Sequence, residues 1–326
     1  MPKLNILFVV NIPVSKQSIQ GVFIRNQISL IEKRHHVKVI TTSGKSKVRG
    51  YLSLIHYLVF HSRKYDVIHA HQSLPILLAS FFVPKKPVFV GSFLSCSHHN
   101  FRFKSESLNK FLYSFTTNRC DGVIVKNSNS VKTSSCPNTV LLPNSVNTEL
   151  FNCTESSEIK AELGLFEKKH YLGFVSAGNV HRKEKRYDLF CEIIDGLRNI
   201  AVDVEPLLIS NKTPLEMVKY YNVCDALLLT SDFEGSPNCV KEALACGIPV
   251  FGRNVGDVEY WIKEINDSYL LTDDIKTDIV CIAGKINTRT ESNLQIREKF
   301  KSKSLTEEQT IDKIDELYKD LLCTKK

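Results

Sequence analysis

Residues 229–250 read LTSDFEGSPNCVKEALACGIPV, and the order of residue types predicts a strand, a tight loop and a helix. Ala226 to Thr230 is an apolar run of strand length. Gly235-Ser236-Pro237 then makes a tight loop. Asn238 is expected to cap a helix that begins near Cys239 and runs to Ala245, where Gly247 ends it and Pro249 blocks its resumption. Two carboxylates bracket the loop: Glu234 within it and Glu242 about two turns into the helix. A helix entered through such a loop leaves backbone N–H groups open at its start, which suits an anion such as a phosphate. The glutamates can then reach two different parts of one ligand, whereas two exposed glutamates on a loop and a helix are otherwise simply solvated.

Working outward, the same alternation fills the chain. Leu4 to Val10 is a continuous apolar run, as in a buried parallel strand, and Val22 to Lys33 has apolar residues at helical spacing. Val37 to Thr41, Val67 to Ala70, Pro87 to Val90, Gly122 to Lys126 and Val140 to Leu142 read as strands. Tyr51 to Phe60, Leu74 to Phe82 (a buried helix) and Phe101 to Asn118 read as helices. After the turn-rich Pro143-Asn144-Ser145-Val146-Asn147, Tyr171 to Ser176 and Glu205 to Ile209 are predicted strands, and Arg186 to Leu197 and Pro214 to Tyr221 helices. Pro249 to Gly252 is a further strand, Val258 to Ile262 a helix start, and Leu305 to Leu322 a closing helix with Ile311, Ile314, Leu317 and Tyr318 on one face. The fold class is α/β, with two doubly wound parallel-sheet halves. The expected division is 1–147, 148–304 and a C-terminal helix, 305–326, that packs back towards the first domain.

The chain has 326 residues, 43% of them hydrophobic and 24% charged, enough apolar mass for two cores. No run of 18 apolar residues is present, and the N-terminus reads as a strand rather than an export leader, so a cytoplasmic location is expected. Ten scattered cysteines form no Cys-x-x-Cys pair and read as reduced thiols. A nucleophilic Cys239 is the less favoured reading against a small residue packed in the first helical turn. Residues 1–150 hold 19 Lys+Arg and 5 Asp+Glu, a net of +14; the remainder nets −6. The basic half can meet an anionic membrane or a diphosphate-linked acceptor. Nucleic acid is disfavoured as a partner, because no recognition motif is present and the cations are spread along the chain.

The run SDFEGSPNCVKEALACGIPVF resembles the glutamate, seven residues, glutamate signature of the family 4 retaining glycosyltransferases, which have the GT-B fold of two Rossmann-like domains facing a central cleft. DVIHAHQSLP (66–75) is similar to a family strand, PNSVNTELF (143–151) to the interdomain segment with Ser145 and Asn147 replacing Gly and Asp, and GVFIRNQ to the entry of the first domain. The likeness spans essentially the whole chain and points within the family to enzymes of the teichuronic-acid and surface-polysaccharide type.

The resemblance implies roles residue by residue. Glu234 lies by the donor sugar, with Gly235, Ser236, Pro237 and Asn238 beside it, and Glu242 binds the ribose hydroxyls. Lys185 and Arg186, in AGNVHRKEKRYDL, match the basic pair that grips the donor phosphates; the family's arginine after the glycine is Asn179 here, with Arg182 the nearby substitute. Gly21 opens a helix after the first strand and allows close approach of backbone to phosphate. Many members have a histidine where PVFVGSF places Val90; His71, His98 and His99 are the candidates to face the cleft and the acceptor in its place. No metal and no cofactor are expected: Asp203-Val204-Glu205 has the spacing of a metal motif but enters a strand without supporting ligands. The implied reaction moves a sugar from a nucleotide diphosphate sugar to a saccharide acceptor, lipid-linked at the inner membrane face, with retention. The alternatives are a sugar-nucleotide epimerase of GT-B fold and a non-catalytic relative that binds nucleotide or glycan.

Overall fold

Five consecutive side chains of the first strand, Ile6 to Val10, have almost no exposed surface. A strand buried on both faces needs helices above and below it, and the chain supplies them. The computed structural model describes residues 2–13, 21–44, 46–94, 101, 103–176 and 178–325. These divide into two units, Met1–Asn144 with Glu307–Lys326, and Ser145–Thr306.

The first unit runs β1 (Asn5–Val10), α1 (Val22–Glu32), β2 (His36–Thr41), α2 (Lys47–His61), β3 (Val67–His71), α3 (Ser73–Phe82), β4 (Val88–Ser92), α4 (Glu106–Thr117), β5 (Gly122–Val125), α5 (Ser128–Lys132) and β6 (Thr139–Leu141). Its six strands are parallel in the order β2-β1-β3-β4-β5-β6. The chain leaves β1 towards one edge and returns to β3 on the other side, so the direction of winding reverses between β1 and β3. α4 starts at Glu106 rather than near Phe101, because the Ser105 hydroxyl accepts from the Leu108 N–H and fixes the helix start there. α3 differs from the wholly buried helix expected: Ile76 and Ala79 are buried, but Leu74 and Phe81 are exposed.

The second unit runs α6 (Ser156–Glu162), β7 (His170–Val175), α7 (Tyr187–Asn199), β8 (Val204–Ile209), α8 (Pro214–Val223), β9 (Ala226–Leu229), α9 (Asn238–Ala245), β10 (Val250–Arg253), α10 (Val258–Ile262), β11 (Tyr269–Leu271), α11 (Ile275–Asn287) and α12 (Asn293–Lys303). Its five parallel strands are ordered β11-β10-β9-β7-β8, with the reversal between β7 and β9. Capping fixes several helix starts; Thr213 and Glu216 on α8, and Ser292 and Gln295 on α12, form reciprocal capping boxes. β11, α11 and α12 occupy a stretch to which the sequence pattern above assigns nothing.

α13 (Glu307–Thr324) belongs to the first unit. It buries Ile311, Ile314, Leu317, Tyr318 and Leu321, each worth about 1.5–3 kcal/mol when fully buried. A Cβ on Gly122 of β5 would lie 2.6 Å from Leu321 Cδ1, so that glycine admits the helix. Arg34 reaches Asp312 and Asp315 at 2.6 and 3.0 Å, tying α13 to the end of α1.

Candidate active site

In a doubly wound sheet, ligands bind where the winding reverses, at the carboxyl ends of the strands. In the second unit that place is flanked by the loops leaving β7 and β9, and these loops carry most of the predicted residues. Lys185 ends a short 3-10 turn at 183–185 after β7, and its Nζ lies 2.6 Å from Glu234 Oε1 in the loop after β9. Both side chains are largely but not fully buried, at 14% and 20% exposure. Burial acts to lower the Lys185 pKa, but the Glu234 carboxylate outweighs it and the net shift is upward, so the ammonium stays charged.

The two loops are stitched together by their backbones as well. Thr230 Oγ1, at the end of β9, donates to the carbonyls of both Lys185 and Arg186 at 2.9 Å, and the Asp232 N–H donates to the Glu184 carbonyl at 2.9 Å. Arg186 adopts φ 50°, ψ 52°, a left-handed conformation uncommon outside glycine, and caps the start of α7. Its guanidinium pairs with Asp188 and with Asp232, which also pairs with Arg253 at the end of β10. Arg182 pairs with Glu184, two residues on, at 2.9 Å from Nε.

The loop after β9 is held from below. Lys241, fully buried in α9, donates to Ser236 Oγ at 2.7 Å, and Ser236 donates to Asp257 Oδ2 at 2.6 Å. Burial lowers the Lys241 pKa to about 8 and raises that of Asp257, against the attraction between them. The Ser236 hydroxyl is thus committed to the protein. Gly256, at φ 63°, passes so close beneath the loop that a Cβ would lie 2.6 Å from the Gly235 carbonyl oxygen. Pro237 takes the capping position of α9 and Asn238 is its first helical residue; Asn238 is therefore not the cap expected from sequence, and no side chain caps this helix. Pro237 has neither a side-chain acceptor nor an N–H, and its fixed φ suits the entry.

Glu242 is the fifth residue of α9, little more than one turn from its start rather than two. It is half-buried and accepts from the Tyr221 hydroxyl at 2.8 Å through Oε2. Burial raises its pKa, opposed by that hydrogen bond and by Lys241. Cys239 is buried, which pushes its thiol up to about 12 and keeps it protonated near neutrality, as a packing residue requires.

The first unit holds the remaining candidates. Gly21 caps α1 at φ 70°, and a Cβ there would overlap Ile12 at 2.7 Å, so local packing alone demands glycine. His71 closes β3 at the reversal of winding; it is fully buried, stacks on His69 at 4.4 Å, and neither ring nitrogen has a hydrogen-bond partner among the described residues. Burial lowers its pKa to about 3, with Lys126 adding to the effect. His69 by contrast is satisfied on both nitrogens, by Tyr318 at 2.5 Å and Ser92 at 2.6 Å. His98 and His99 lie outside the described residues. Among the described residues no group of three or more His, Cys, Asp or Glu has a metal-binding arrangement, and no helix is long and apolar enough to cross a membrane.

Sequence reasoning missed Thr230, Asp232, Lys241, Arg253, Gly256 and Asp257. Lys241 alone carried a signal: it shares a helical face with Leu244 and Ala245, both buried.

No protein-family model matches the chain, and no curated protein does. Solved structures do. A sucrose-phosphate synthase from Thermosynechococcus elongatus is 14% identical with a TM-score of 0.73, over 98% of this chain and 100% of that one. HepE from Anabaena, in complex with UDP-glucose, is 16% identical with a TM-score of 0.73, over 97% and 100%. A glycosyltransferase from Rickettsia africae is 14% identical with a TM-score of 0.65, over 99% of both chains. The fold is that of the GT-B glycosyltransferases: two Rossmann-like units, each built on a parallel sheet.

Proposed function

We propose that the protein is a retaining glycosyltransferase of the family 4 type, using a nucleotide diphosphate sugar as donor. The observation that carries this reading is the Lys185–Glu234 pair across the winding reversal of the second unit, with Glu242 on the next helix. A lysine held charged there meets the developing charge of a leaving diphosphate. Glu234 orients sugar hydroxyls. Glu242 accepts hydrogen bonds from ribose hydroxyls, a task for an ionised carboxylate. The uncapped start of α9 supplies N–H groups to the donor. Arg186 and Arg182 add positive charge beside Lys185, and Gly21 leaves the start of α1 open to close approach of a phosphate. Departure and attack on one face of the sugar, with the donor phosphate taking the acceptor's proton, require no protein nucleophile and no metal.

HepE is described in complex with UDP-glucose and with UDP, which makes UDP-sugars the first donors to try. The acceptor in this reading is a saccharide, lipid-linked, in the synthesis of a bacterial surface polysaccharide of the teichuronic-acid or O-antigen kind. The reaction takes place in the cytoplasm, where nucleotide sugars are made and thiols stay reduced; all nine described cysteines are free.

The test begins with thermal shifts in a panel of UDP-, GDP- and ADP-sugars, followed by transfer assays with the stabilising donor and product analysis by NMR. An α-linked product is expected from an α-linked donor, formed equally well in EDTA. Interconversion of the donor sugar without transfer would instead make the protein an epimerase.

A further inference from the structure

Large apolar side chains are exposed across one layer of the first unit. The connections β2-α2-β3, β3-α3-β4 and β4-α4-β5 all advance in the same direction along the sheet, so right-handed crossovers place α2, α3 and α4 side by side on one face. Each helix turns an apolar stripe to the core: Leu54 and Leu58, Ile76 and Ala79, and Tyr113. Each also turns an apolar stripe outward. On α2, Val48, Leu52, Val59 and Phe60 are 69, 60, 52 and 66% exposed. The intervals from Val48 to Leu52 to Val59, four and seven residues, keep them on one helical face. Phe81 of α3 and Phe111 of α4, also exposed, join through Phe115, with ring centroids 5.8 and 6.2 Å apart, and Arg119 lies over the rings of Phe81 and Phe115. Scattered single exposed leucines need no explanation, but contiguous helices apolar on both faces do.

The charge around these stripes names the occupant. Residues 46–119 contain ten Lys+Arg and two carboxylates. One carboxylate, Asp66, bonds the Asn5 N–H, and the other, Glu106, pairs with Lys110. Arg49, Arg63, Lys64, Lys85, Lys86 and Lys104 are exposed. Exposed phenylalanine and aliphatic side chains on helices whose ends and connections carry exposed cations fit the interface of an anionic bilayer, where the rings enter the acyl boundary and the cations meet headgroups. In the second unit exposed apolar side chains such as Phe166, Leu215 and Val280 lie on a loop, on α8 and on α11.

We propose that the α2–α3–α4 face is a docking surface for an anionic lipid bilayer. The proposal stands on the first unit alone, so failure of the donor site would leave it intact.

Co-sedimentation of the full chain with phosphatidylglycerol/phosphatidylcholine vesicles and with pure phosphatidylcholine vesicles tests it. Binding is expected only to the anionic vesicles and to weaken as salt rises. Two variants separate the contributions: Leu52→Ser with Phe60→Ser and Phe111→Ser, and Lys85→Glu with Lys86→Glu. Each should lower vesicle affinity roughly tenfold or more while leaving the melting temperature and the donor-induced thermal shift unchanged. Binding that is indifferent to lipid charge, variants that pellet like wild type, or no binding at all would overturn the proposal. A concentration-dependent dimer in sedimentation velocity, abolished by the same serine substitutions, would also overturn it by assigning the face to a second copy.

Discussion

Lys185 Nζ and Glu234 Oε1 stand 2.6 Å apart, although 49 residues separate them in the chain. The contact exists because β7 and β9 are neighbours in the sheet while β8 lies beyond β7, so two loops that leave parallel strands side by side converge. Thr230 fixes the spacing by bonding the backbone of the lysine's own loop. A charged pair held by backbone and partly open to solvent is prepared to exchange one partner for a substrate group.

Replacing Lys185 with Met removes the positive charge without removing the bulk. The turnover number should fall by 10²–10³-fold, about 3–4 kcal/mol of transition-state stabilisation, with a melting temperature within a few degrees of wild type. Steady-state kinetics and calorimetry check it. Adding Glu234→Gln should cost less than the sum of the single losses, because the two groups act as one unit.

Lys241 never touches the donor in this account; it positions the loop through Ser236. Lys241→Met should raise the donor KM by about tenfold with a smaller change in kcat, and Ser236→Ala should reproduce the effect through the same hydroxyl. An equal fall in kcat with KM unchanged would place Lys241 elsewhere in the mechanism. Met also removes the cation that offsets the buried Asp257, so the variant should lose about 3–5 kcal/mol of stability, and the kinetics are read at a temperature where it stays folded.

Acid stability should report on the buried histidine pair. His71 titrates at about 3 in the folded protein against an ordinary value of 6.5, with burial the main cause. Between those two values the unfolded chain takes up a proton that the folded chain refuses. Stability therefore drops as pH is lowered through 6.5 and continues to drop towards 3, by a few kcal/mol in total. His71→Leu should flatten this part of the profile; denaturant melts at pH 7, 5.5 and 4 on both proteins provide the measurement.

Much of this was legible in the sequence where signals are local. The block 229–250 spells out its strand, loop and helix because turn residues and apolar runs follow one another within twenty positions. Glu234, Gly235 and Glu242 could be picked out from it directly. Asn238 was misread because Pro237 takes the capping position, leaving Asn238 inside the first turn. The Lys185–Glu234 contact was not legible, since it depends on strand order, which no local pattern encodes. Lys241 drew no reading from the sequence, although it lies three and four positions before Leu244 and Ala245 on the buried face of its helix. The stretch holding α11 and α12 went unread, although Ser292-x-x-Gln295 is a capping-box spacing. Leu74 and Phe81 were expected to be buried because apolar periodicity alone cannot tell an inward stripe from an outward one.

The central claim is that Glu242 holds the ribose of a nucleotide sugar. Isothermal titration of wild type and Glu242→Ala with whichever of UDP, GDP and ADP most stabilises the wild-type protein tests it directly. Losing two charge-assisted hydrogen bonds should weaken binding by about 30-fold or more, with the melting temperature of the free protein little changed. An unaltered dissociation constant in the folded variant would contradict the account.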